Sequence, residues 1–143
     1  RATADSHLEL PRVDAALEDL HRTDFAPFLA LNDMPLAMTA HIVYSAIDEV
    51  RPATLSSTVI SEIIRGALNF DGLLLSDDLG MKALEGGLTD CASRALGAGC
   101  DVALHCSGIL EEMHNVAKGV KPLKGRSVER LEKALMLIGA SSV

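Results

Sequence analysis

Phe70-Asp71-Gly72-Leu73-Leu74-Leu75-Ser76-Asp77-Asp78-Leu79-Gly80-Met81 is the stretch on which the fold turns. A short unbroken apolar run, opened by Asp71-Gly72 and stopped by Ser76-Asp77-Asp78, has the pattern of a strand buried on both faces. Such strands build parallel α/β sheets and barrels, whose binding face lies at the carboxyl ends of the strands. A carboxylate placed there is costly to desolvate unless it is paired or used. Asp77 is therefore a candidate catalytic carboxylate. Asp78 has two readings: a second acid near the site, or the N-cap of a helix starting at Leu79.

On the amino-terminal side, Leu36 to Val43 is a second candidate strand, with His41 near its end. Thr54 to Ser57 offers several caps for a helix running to about Gly66, with Val59, Ile60, Ile63 and Ile64 on one side. Further upstream, Val13, Ala16, Leu17 and Leu20 fall at helical spacing over residues 12–22. Thr23-Asp24 offers a cap for a second short helix from Phe25 to Leu31. On the carboxyl-terminal side, Met81 to Leu84 predicts a helical turn, and Thr89 caps a helix ending near Gly97 or Gly99. Cys100 to Cys106 is a third buried strand. A helix over Ile109 to Lys118 follows, then a basic solvated loop over 121–126. Ser127 caps a last helix, Val128 to Ile138. Strands alternating with helices imply parallel pairing through right-handed crossovers. Three strands cannot close a barrel. The pattern is that of a small open sheet, or of one part of a (β/α)8 barrel.

The 143 residues suffice for one segment with a core, and 48% hydrophobic with 23% charged residues is a globular composition. A formal net charge of −7 and 3% aromatic residues argue against nucleic-acid binding. No apolar run approaches the ~20 residues that span a bilayer. Three cysteines without zinc-site spacing read as reduced core thiols, consistent with the cytoplasm.

Two histidines carry possible chemistry. In Asp5-Ser6-His7, residues two apart in extended chain share a side. Asp5 can then hold one ring nitrogen of His7 and raise the basicity of the other. The alternative is an ordinary surface loop. His41 is either a satisfied histidine at a strand end or a ligand contact.

Taken together, Asp5-Ser6-His7 with Leu10-Pro11, Met38-Thr39-Ala40-His41, Arg51-Pro52-Ala53-Thr54-Leu55-Ser56, Phe70-Asp71-Gly72 into Ser76-Asp77-Asp78-Leu79, and Ala98-Gly99-Cys100-Asp101 resemble the glycoside hydrolase family three β-N-acetylhexosaminidases. The likeness is to the bacterial cytoplasmic type that recycles cell-wall muropeptides. It implies a retaining exo-β-N-acetylglucosaminidase on a TIM barrel, needing no cofactor or metal. Asp77 matches the family nucleophile, His7 its acid/base and Asp5 the carboxylate that holds His7; His41 is a candidate substrate contact. Most retaining glycosidases use two carboxyl groups instead.

The resemblance also implies what is missing. The family's sugar-binding Lys-His-Phe-Pro-Gly-His-Gly-like segment precedes the Asp-Ser-His loop, and this chain opens at Arg1. Residues 1–143 are thus expected to be the carboxyl-terminal half of the barrel, three parallel strands with helices, inactive without an amino-terminal half. Gly80 stands where the family more often has Ser. A competing reading from the residues alone is a small non-enzymatic α/β switch module, with Asp77 and Asp78 as a Mg²⁺-binding pair.

Overall fold

A computed structural model describes residues 1–2 and 4–140. Its centre is β4, Leu73–Asp78, flanked by β2, Leu36–Met38, and β5, Val102–Leu104. The three strands are parallel, in the order β2-β4-β5. β4 extends through Ser76-Asp77-Asp78, so both acids lie within the strand and not beyond it. Leu75 opposes Val102 while Asp78 opposes Leu104, so β4 carries one extra residue across that interval. Such a bulge re-aims side chains at a strand end.

Among the described residues five short strands form instead of three, and they lie in two sheets. The expected strand Leu36 to Val43 breaks after Met38. Its end becomes β3, Val43–Tyr44, which pairs in parallel with β1, Arg12–Val13. The break turns His41 inward under β4. Arg12 and Val13 were expected in a helix over 12–22; they are captured by β3 because their amphipathic pattern also fits a strand whose inner residue, Val13, is buried. Helix α1, Leu17–Asp19, then runs into a π turn, Leu20–Asp24, and α2, Ala26–Leu29.

Two apolar clusters hold these layers. One presses Leu74 of β4 against Ile60 of a π helix, Val59–Ala67, and against Cys91, Ala92 and Ala95 of α3, Leu88–Ala98. The small α3 residues bring that helix close to the sheet. Full burial of a side chain such as Leu74 contributes about 1.5–3 kcal/mol. The second cluster joins Val13, Leu20, Phe25 and Ile63 beneath the β1–β3 pair. Gly99, at φ +120°, ends α3, where a Cβ would meet Ile60.

Several expected caps resolve differently. Ser56 does serve the π helix, accepting from the Val59 N–H at 3.1 Å. Met81 to Leu84 forms only turns, so Asp78 starts no helix. Thr89 donates to the Asn115 carbonyl on α4, Leu110–Gly119, and ties two helices together. Ser127 lies inside α5, Arg126–Ala140, and donates to Asp101 at 2.5 Å. The Ile138 side chain lies outside the described residues.

The first turns of α5 meet the sheet through polar groups, with Ala134 buried further along. Ser127 and Arg130 reach Asp101, and Arg126 and Arg130 reach Asp71. Arg65 of the π helix bonds Asp101 from the other side at 2.7 Å. Burial opposes the Asp101 charge, but Ser127, the Leu74 N–H and the two arginines outweigh it and hold its carboxyl below the ordinary range. The network fastens α5 to the amino-terminal end of β4, away from Asp77. Leu36 and Met38 on β2 remain 43% and 53% exposed.

Candidate active site

Asp77 and Asp78 are consecutive residues of a strand, where side chains diverge. Asp78 turns toward the residues that follow β5. Its Oδ1 accepts from the Gly80 N–H at 2.9 Å and the Cys106 N–H at 3.2 Å, and lies 3.2 Å from His105 Nδ1. Asp77 Oδ1 accepts from the Asp78 N–H at 2.8 Å. Among the described residues no ion pair involves Asp77. Oδ1 of Asp78 thus takes three contacts, whereas Asp77, equally half-buried, holds one hydrogen bond from its own strand. A divergent pair with one member already committed is a poor chelate for a hard cation, which wants converging oxygens. Among the described residues no three His, Cys, Asp or Glu side chains gather as metal ligands.

His41 is fully enclosed, at 0% exposure. Its Nε2 lies 2.9 Å from the Asp78 carbonyl, which can only accept, so Nε2 carries the hydrogen. Nδ1 lies 2.8 Å from Thr54 Oγ1, itself 2.8 Å from Thr39 Oγ1. In the neutral ring Nδ1 accepts from Thr54, and Thr54 from Thr39. With both nitrogens engaged inside the protein, His41 fits the satisfied strand-end reading. The candidate substrate contact is corrected, because the imidazole has no free surface to offer.

The Asp5–His7 pair forms as its spacing suggests, although in a turn and not in extended chain. Leu8 and Glu9 N–H groups both donate to the Asp5 carbonyl. Asp5 Oδ1 accepts from the His7 main-chain N–H at 2.9 Å and lies 2.9 Å from His7 Nδ1. Those contacts, the main-chain one foremost, hold the Asp5 carboxyl below the ordinary range. Nδ1 therefore bears the hydrogen, and Nε2 is free to exchange a proton. The loop is open, with the His7 side chain 74% exposed. Among the described residues no hydrogen bond or ion pair joins His7 or Asp5 to Asp77.

His105 was missed by the sequence reading. It stands one residue past β5, at the same end of the sheet as Asp77 and Asp78. Its position at the end of the predicted strand Cys100 to Cys106 was the available signal. Cys106, also placed in the core by that reading, is exposed, while Cys91 and Cys100 are buried. A hollow of ≈ 610 Å³ opens at the opposite end of β4, beside Met34, Asn69, Asp71 and Arg130. It sits at the amino-terminal end of the strands, where parallel sheets of this type place stability and not chemistry.

Residues 1–138 match the model of the glycosyl hydrolase family 3 N terminal domain. A beta-hexosaminidase of Alkalilimnicola ehrlichii is 48% identical over 107 residues, covering 72% of this chain and 30% of the relative. A structure of a glycoside hydrolase family 3 beta-N-acetylglucosaminidase from Paenibacillus sp. superposes with TM-score 0.79 at 30% identity, over 95% of this chain and 28% of that one. NagZ from Neisseria gonorrhoeae, solved in complex with N-trifluoroacetyl-D-glucosamine, gives TM-score 0.79 at 30% identity, over 93% of this chain and 38% of that one. The chain spans about a third of the length of the curated relatives it matches. Its parallel strands and helices have a TIM-barrel-like α/β arrangement. The chain belongs to glycosyl hydrolase family 3.

Proposed function

We propose that this chain is the carboxyl-terminal part of a barrel that acts as a retaining exo-β-N-acetylglucosaminidase. The observation that carries the reading is the Asp5–His7 pair, held at 2.9 Å with the ring's Nε2 left open. Asp77, ionised, attacks the anomeric carbon and forms a glycosyl-enzyme. His7 protonates the departing glycosidic oxygen, then takes a proton from the water that hydrolyses the intermediate. Asp5 keeps the hydrogen on Nδ1, so Nε2 is the nitrogen that gives and receives. An exposed turn suits a histidine that swings toward Asp77 once sugar is bound.

The substrate class is a terminal N-acetylglucosamine residue, and its proposed source is cell-wall muropeptide. The beta-hexosaminidase and beta-N-acetylglucosaminidase names of the relatives support the sugar. The muropeptide source rests on the motif resemblance. No helix among the described residues is long and apolar enough to cross a membrane, and three free thiols support a reducing compartment such as the cytoplasm. The exposed apolar edge of β2 supports pairing with further barrel strands from an amino-terminal half. The 143 residues alone are expected to be inactive.

The test uses the intact protein that carries this chain. Asp77→Ala is expected to abolish turnover of a β-N-acetylglucosaminide. His7→Ala is expected to slow a glycoside with a poor leaving group far more than one with an activated aryl leaving group, which needs little acid help. Equal losses on both substrates would remove His7 from the acid role.

A further inference from the structure

Beyond Asp77, the strand end carries a second arrangement built around a buried histidine. The His105 side chain is only 5% exposed. Its Nδ1 faces Asp78 Oδ1 at 3.2 Å, and because an ionised carboxylate only accepts, Nδ1 bears a hydrogen. Its Nε2 lies 2.8 Å from Ser107 Oγ and 3.1 Å from Glu112 Oε2 in the first turn of α4. Ser107 also accepts from the Ile109 N–H at 3.1 Å, so the turn before α4 is itself braced. Contact with Ser107, and secondarily with His105, holds the Glu112 carboxyl below the ordinary range. Even the space is accounted for. A Cβ on Gly80 would lie 3.1 Å from the His105 ring.

The consequence falls on Asp77. Its carboxylate is bonded by the N–H of Asp78. That peptide is set by what holds Asp78. His41 fixes its carbonyl from below, and His105, Gly80 and Cys106 fix its carboxylate from the side. Removing the His41 bond would disturb a core. Removing the His105 bond leaves Asp78 Oδ1 with two donors, the main-chain N–H groups of Gly80 and Cys106, in place of three, and leaves the sheet's hydrogen bonds in place.

We propose that His105 is a positioning residue for Asp77, acting through Asp78, with Ser107 and Glu112 holding its ring. The inference rests on the assignment of Asp77 as nucleophile. A carboxylate that attacks an anomeric carbon must be held to ~0.5 Å, and a misplacement of ~1 Å costs on the order of 100-fold in rate. His105 touches neither sugar nor water in this scheme. Its loss therefore slows nucleophilic attack whatever the leaving group, which separates it from His7.

The test compares His105→Leu with His105→Asn in the intact protein, since the Asn amide can reproduce the Nδ1 donor to Asp78. His105→Leu is expected to lower kcat about 10- to 100-fold, equally on poor and activated leaving groups, with KM within about twofold. His105→Asn is expected to recover most of kcat. A kcat for His105→Leu equal to wild type overturns the proposal, as does a loss that His105→Asn repeats in full. Should His105→Leu fail to fold, Glu112→Ala, at a partly exposed site, reads the same role. It is expected to lower kcat several-fold at unchanged KM, and an unchanged kcat overturns the proposal. Asp77→Ala is run alongside. Retained turnover there defeats the nucleophile assignment itself, whereas lost turnover with an unaffected His105→Leu defeats only this inference.

Discussion

The His41 imidazole donates from Nε2 to the main-chain carbonyl of Asp78 across 2.9 Å. A ring buried in one segment thus anchors the strand end that carries the candidate nucleophile next door. Its other nitrogen anchors Thr54, and through it Thr39, so strand end, 3₁₀ turn Ala53–Leu55 and the Thr39 loop share one hydrogen-bond chain.

His41→Ala is expected to cost about 2–4 kcal/mol of stability, from a cavity and from an Asp78 carbonyl and a Thr54 hydroxyl left without their partner. Chemical denaturation of the intact protein measures it. A loss under ~0.5 kcal/mol, the range of ordinary surface changes, would show that the chain of bonds adds nothing.

Acid should loosen the amino-terminal end of β4. Hydrogen bonds from Arg126 and then Arg130 lower the Asp71 carboxyl from 3.8 to about 2. A depressed folded value means the contribution is complete above pH 3.8 and is lost as pH falls through about 2. Wild type should melt above Asp71→Asn at neutral pH, with the gap closing toward pH 2. Because Asp71 is partly exposed, the gap should also shrink with salt. A gap independent of pH would place the effect elsewhere.

Gly119→Ala should be poorly tolerated although Gly119 is the last residue of a helix. A Cβ there would lie 2.1 Å from the Thr89 carbonyl oxygen and 3.0 Å from the Ala92 Cβ. Main chain cannot rotate away as a side chain would, so α3 and α4 must separate. A loss of about 1–3 kcal/mol is expected, and an unchanged melting temperature would show that the two helices are not so closely seated.

The thiols should divide by accessibility. Burial pushes Cys100 up to about 12 and raises Cys91 as well, while Cys106 is exposed. A thiolate-directed reagent at pH 8 should label Cys106 in the native state and reach Cys91 and Cys100 only on denaturation. Peptide mass mapping reads the sites; rapid native labelling of Cys100 would contradict its burial.

The amino-acid order by itself determined the α/β class and the central strand, and singled out Asp5, His7 and Asp77 as candidates. Each follows from local information: an apolar run closed by acids, and a two-residue spacing that lets a carboxylate reach the adjoining ring. Helices α3, α4 and α5 were legible for the same reason, since their periodicity, and for α3 its glycine stop, are written within the segment.

Only the tertiary structure decided which strands pair and what the other polar groups do. The split of Leu36 to Val43 into strands of two sheets depends on a partner at Arg12–Val13, distant in sequence. The enclosure of His41 depends on Thr54 and Asp78, and the role of His105 on Asp78 of β4 and Glu112 of α4. Asp78 could be read either as a cap or as a site acid, and became a junction because His105 and Cys106, past the end of β5, meet its carboxylate. Hydrogen bonds between residues far apart in the chain leave no period in the sequence, because their geometry exists only after the strands have chosen their neighbours.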